Sequence, residues 1–81
     1  MATYFFHLHN EHDVLLDEEG IDLPDLVAIR DHALTEARAI IAADVAEGTI
    51  NLGLSIEVRD SAGAVVLQLP FSEAVTIVPP L

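Results

Sequence analysis

One segment of this chain repeats its apolar residues with a helical period, and the segments on either side repeat theirs every second residue. Few folds satisfy both. From Pro24 to Glu47 the apolar stripe runs through Leu26, Ile29, Ala33, Ala37, Ile40 and Ile41, widened by Val27, Leu34 and Val45. At about 100° per residue these share one side of a helix, as expected for a helix lying on a sheet. Asp31, Thr35, Glu36 and Ala39 are expected on the opposite side. Leu23-Pro24-Asp25 marks the start, because proline suits a first helical turn and pushes the residue before it out of the α region. Asp22 and Asp25 would then sit near the positive end of the helix dipole, and Gly48 supplies the stop.

From Thr3 to His9, Tyr4, Phe6 and Leu8 alternate with Phe5, His7 and His9, which reads as a strand. Asn10-Glu11-His12-Asp13 can turn, and Val14-Leu15-Leu16 return as a second strand. Past the helix, Leu52, Leu54, Ile56 and Val58 alternate with Gly53, Ser55, Glu57 and Arg59. Asp60-Ser61-Ala62-Gly63 is a turn of the type I plus left-handed glycine kind, and Val65, Leu67 and Leu69 return from it until Pro70. Residues 71–81 fit either a single helical turn at Ser72-Glu73-Ala74 or an edge strand from Val75 to Val78. The expectation is one α+β domain over residues 1–81, ordered ββαββ, its four-stranded antiparallel sheet covered on one face by the long helix. Its expected core is Tyr4, Phe6, Leu8, Leu26, Ile29, Ala33, Ala37, Ile40, Ile56, Val58, Leu67 and Leu69.

Charge narrows the function classes. Fourteen acids against three arginines and no lysine give −11. Nucleic acids are held by Lys and Arg neutralising phosphates, and anionic membranes repel such a chain, so neither is an expected partner. A hydrophobic content of 52% argues against disorder. No apolar run approaches the ~20 residues of a membrane span. No basic segment leads an apolar run at the N-terminus, so no signal peptide is expected and the cytoplasm is the default location. There are no cysteines, which removes thiolate chemistry.

Between His7 and Asp25 lie three of the four histidines and seven of the fourteen carboxylates, with no basic residue among them. His7 and His9 are two apart on a strand and share a face. With His12 in the adjoining turn they would offer three imidazoles to Zn²⁺ or Ni²⁺; the plainer account is a solvent-facing strand. An EF-hand centred on Gly20 would need oxygen ligands where Leu15 and Leu26 stand, so that motif fails. Arg30, inside the apolar stripe, is expected to pair with Asp17 or Glu19. No nucleophile elbow, phosphate-cradling glycine loop or metalloprotease spacing is present, so no catalytic residue or cofactor is assigned.

The ordered set Tyr4-Phe5-Phe6-His7, Asp17-Glu18-Glu19-Gly20-Ile21-Asp22-Leu23-Pro24-Asp25, the helix from Arg30 to Arg38, Ile56-Glu57-Val58-Arg59-Asp60, Gly63 and Leu69-Pro70-Phe71 resembles a family of short alphaproteobacterial proteins described only as a domain of unknown function. The resemblance spans nearly the whole chain and brings no activity with it. Its members often carry a glycine in the first turn, where this chain has Asn10-Glu11-His12. A lesser similarity, by analogy only, is to HicB-type antitoxins, small partners of a basic toxin. It rests on the aromatic first strand, the acidic turn with its glycine, the Leu-Pro step and the alanine-rich helix.

The expected function is a non-catalytic interaction or regulatory module that binds a basic protein through Glu11, Asp13, Asp17, Glu18, Glu19, Asp22 and Asp25. The alternative is a metal-binding protein using His7, His9 and His12. A homodimer would form through a strand edge or through the outer sheet face around Phe5 and Val66.

Overall fold

The computed structural model describes residues 1–80; Leu81 lies outside them. The elements follow in the order β1 (Ala2–His9), β2 (Val14–Leu15), β3 (Ile21–Leu23), α1 (Leu26–Ala46), β4 (Ser55–Asp60), β5 (Val65–Pro70) and a 3₁₀ turn (Phe71–Glu73). The fold is α+β: one helix packed on an open antiparallel sheet. The sheet has five strands where four were expected. β2, β1, β4 and β5 lie in that order, and β3 joins the β2 side of β1. The extra strand is three residues long, too short to show alternation, and pairs Tyr4 with Ile21 and Ala2 with Leu23.

The helix begins two residues later than the proline suggested. Asp25 is extended at φ −160° and its side chain accepts the Ala28 N–H at 2.9 Å, so it caps the helix and leaves Pro24 outside. At the other end Gly48 takes φ +88°. There the Gly48 N–H reaches the Val45 carbonyl and the Thr49 N–H the Asp44 carbonyl, both at 2.9 Å. These two bonds satisfy carbonyls that the helix end would otherwise leave unpaired. No helix among the described residues is long and apolar enough to cross a membrane.

Register pairs Phe6 with Val58, Leu8 with Ile56 and Ile56 with Leu69. These side chains face the helix, whose Ala33 and Ala37 are wholly buried. Two small residues let the helix backbone approach the sheet, and Phe6, Ile56, Val58 and Leu69 fill the space between. Tyr4, Leu8, Ile40 and Leu67 pack at the margin of this core. Leu26 does not belong to it. It is 59% exposed, because it opens the helix one turn ahead of Ile29, the first residue the sheet covers.

Phe71 and Ala74 were absent from the expected core, yet both are buried. The 3₁₀ turn, not an edge strand at residues 75–78, follows β5 and tucks Phe71 under the helix. The Phe71 N–H bonds the Leu54 carbonyl, and Arg38 Nε donates to the Ala74 carbonyl at 2.8 Å. Burying a phenylalanine contributes about 1.5–3 kcal/mol, a large share for a domain of this size.

β5 breaks its alternation once. Val58 faces Leu67 and Arg59 faces Val65, so Val66 is an extra residue, a β-bulge. The bulge turns Val66 toward the core and leaves Val65 48% exposed. Val66 is therefore not part of the outer sheet face where sequence alternation placed it.

Candidate functional site

The acidic stretch folds around one carboxylate. β2 covers β1 at Leu8 and His9, and β3 covers it from Ala2 to Tyr4, so the interval between has no strand on that side. Asp17 fills the gap. Its Oδ2 accepts the Phe6 N–H at 3.1 Å, and Oδ1 accepts those of Glu19 and Gly20 at 3.2 Å each. Burial would raise its pKa, but the three amide bonds and the nearby His7 outweigh that and hold the carboxyl below the ordinary value. The Asp17 N–H in turn donates to His7 Nδ1 at 3.0 Å. A bond of that sense leaves the proton of a neutral His7 ring on Nε2.

Two more of the seven carboxylates are structural. Asp22 accepts from the Thr3 hydroxyl, and Asp25 caps the helix. Glu11, Asp13, Glu18 and Glu19 are exposed. Between these two pairs run Val14, Leu15 and Leu16, exposed by 48%, 70% and 60%. The outer edge of the sheet is thus a short apolar ridge with carboxylates at both ends.

The arginines do little to offset this charge. Arg38 is held by the Ala74 carbonyl. Arg59 bonds Glu57 Oε1 at 2.6 Å through Nε and the Gly63 carbonyl through Nη1. The Arg59 bond is the main reason that the Glu57 carboxyl lies below its usual range, against the opposing effect of burial. Arg30 is exposed and pairs with neither Asp17 nor Glu19: it stands on the apolar side, but in the first turns of the helix, where Leu26 and Val27 are exposed as well.

The three histidines are not brought together. His7 and His9 line a depression on the outer sheet face with Glu57 and Arg59. His9 Nε2 stands 3.4 Å from Glu57 Oε1. His12 lies in the Asn10 turn, where the Asn10 side chain accepts the amides of His12 and Asp13, and its own side chain is 82% exposed. Among the described residues no group of three His, Cys, Asp or Glu is placed to hold a metal ion.

Two residues passed over in the sequence matter more. His32 and Glu36, one turn apart on α1, border a cleft of about 390 Å³ between the helix and residues 15–21. Asp17 lines its far side, and Leu8, Leu16 and Ile40 line its walls. The His32 ring meets Phe6 edge to face at 4.6 Å, and its Nε2 lies 3.5 Å from Glu36 Oε2. Burial first, and then the negative charge of Asp17, raise the Glu36 carboxyl above its ordinary value, opposed by His32. Glu36 was expected on the solvent side of the helix. Its spacing gave the signal: seven residues after Ile29 and four before Ile40, it falls within the buried arc. A cleft with apolar walls and a perturbed carboxylate is the kind of place where ligands bind.

Residues 3–72 match the model of a protein family described as a domain of unknown function (DUF6894), in keeping with the resemblance read from the sequence. No curated protein and no solved structure matches the chain.

Proposed function

The chain belongs to the DUF6894 family of domains of unknown function, and we propose that it works as a non-catalytic docking module for a basic protein. One observation carries this reading: the exposed Val14–Leu16 ridge lies between Glu11 and Asp13 on one side and Glu18 and Glu19 on the other. Apolar surface that is rimmed by charge of one sign suits a protein partner of the opposite sign. Two supporting facts point the same way. Arg59, which lines a depression with Val14 and Leu16, is already paired with Glu57, so it does not offset the four exposed carboxylates. The outer side of β2 also has unpaired backbone groups, which an incoming strand can bond.

The test is capture of partners on immobilised protein at low and high salt, with wild type beside a Glu11→Gln/Asp13→Asn/Glu18→Gln/Glu19→Gln variant. The reading expects a basic partner that is held by wild type, released by salt and lost from the variant. Capture that is equal in the two proteins, or indifferent to salt, would refute it.

A further inference from the structure

We infer that the cleft between α1 and residues 15–21 receives one lysine or arginine side chain of that basic partner, with its stem against Leu16 and Ile40 and its cation between Asp17 and Glu36. The inference rests on the docking reading above and names what the same edge grips.

The cleft has two kinds of wall. Leu8, Leu16 and Ile40 offer apolar surface, while Asp17 and Glu36 offer carboxylates across it. An aliphatic stem that ends in a cation matches both, since such side chains pack their methylenes on apolar surface and keep the charge at a polar end. The volume of about 390 Å³ is near the low end of small-ligand sites, as suits one long side chain.

The fold places no lysine or arginine here, and its one basic group at the cleft is His32. The chain has no lysine, and Arg38 and Arg59 are bonded elsewhere. Glu36 Oε2 is shielded from solvent and has no hydrogen-bond donor, despite His32 at 3.5 Å. A turn of the carboxylate about its last bond, a soft torsion, would present that oxygen to the several donors of a guanidinium or ammonium. Burial and the charge of Asp17 both act against an ionised Glu36; a cation bound between the two would screen the second and offset the first. The cleft opens beside Leu15 and Leu16, the exposed part of the ridge. A strand lying on that ridge is therefore within reach of it.

The probe is a short acetylated peptide of alternating threonine and valine with one central lysine, compared with the same peptide carrying norleucine there. Norleucine keeps the stem and drops the charge. Amide shifts in ¹⁵N-labelled protein should move at Leu16, Asp17 and Glu36 with the lysine peptide, and the norleucine peptide should bind about tenfold more weakly. Glu36→Gln should weaken the lysine peptide by about the same factor and leave the norleucine peptide unchanged. Leu16→Ala, at an exposed site, should weaken both peptides. Equal binding of the two peptides, no binding of the lysine peptide, or indifference to Glu36→Gln would overturn the cleft assignment. Partner capture separates the two readings. Capture lost in the four-carboxylate variant but kept in Glu36→Gln would overturn the cleft alone, whereas capture indifferent to both would overturn the docking reading beneath it.

Discussion

Asp17 Oδ2 accepts the Phe6 amide at 3.1 Å, so a side-chain carboxylate stands where the sheet edge would otherwise need a strand carbonyl. The same group ties the amides of Glu19 and Gly20, which joins the acidic loop to the middle of β1. Asp17→Asn keeps the shape but can present only one accepting oxygen. It should cost about 1–2 kcal/mol, seen as a fall in melting temperature of roughly 5–10 °C for a domain of this size. The folded-state pKa lies below 3.8. The contribution is therefore complete above pH 3.8 and is lost as pH falls through the folded value. Denaturant midpoints of wild type and variant should converge in acid.

Glu36 should behave in the opposite sense. Its folded-state value is raised above 4.5, so ionisation opposes folding above that range, and the penalty disappears as pH falls below 4.5. Glu36→Gln should raise the melting temperature at pH 7 and make no difference at pH 4. A variant less stable than wild type at neutral pH would contradict this account.

Gly20 and Gly48 both take positive φ, at +73° and +88°, but their surroundings differ. A Cβ at Gly20 would stand 2.8 Å from Phe5 Cε2 and from Thr3 Cγ2, whereas one at Gly48 would meet nothing within 4 Å. Gly48→Ala should cost about 1 kcal/mol, from the backbone alone. Gly20→Ala adds an overlap that the sheet must yield to and should cost about 2–4 kcal/mol. Chemical denaturation of the two single variants checks the ranking.

The long helix was legible because Ile29, Ala33 and Ala37 repeat on one side over several turns, and no short-range accident imitates that. Strands β4 and β5 were legible for the same reason, at period two. What escaped depends on contacts distant in sequence. Ile21-Asp22-Leu23 becomes a strand only because Ala2–Tyr4 lies beside it. Phe71 is a core residue because Arg38 and the Leu54 carbonyl hold its turn in place, and neither contact leaves a local pattern. The carboxylates were seen as one group, although only their bonding separates Asp17, Asp22 and Asp25 from the exposed four. His32 and Glu36 were missed for another reason: a polar residue at a buried spacing was assigned by its chemistry instead of its position.

The difference between Phe71 and Leu26 can be measured directly. Phe71 is fully buried and Leu26 is 59% exposed. Phe71→Ala should cost about 3–5 kcal/mol, enough to leave a small domain largely unfolded. Leu26→Ala should stay within about 1 kcal/mol. Circular dichroism on heating would separate the two at once.

The bulge at Val66 makes the two borders of the sheet unequal. With its irregular register there and Pro70 closing the strand, β5 denies a newcomer a regular ladder, while the other border offers only the two residues of β2 and the three of β3, parted by the Asp17 loop. A sheet whose margins offer such short runs can take a brief guest strand, but it gives successive copies no continuous template, and so the fold admits company without growing into fibres.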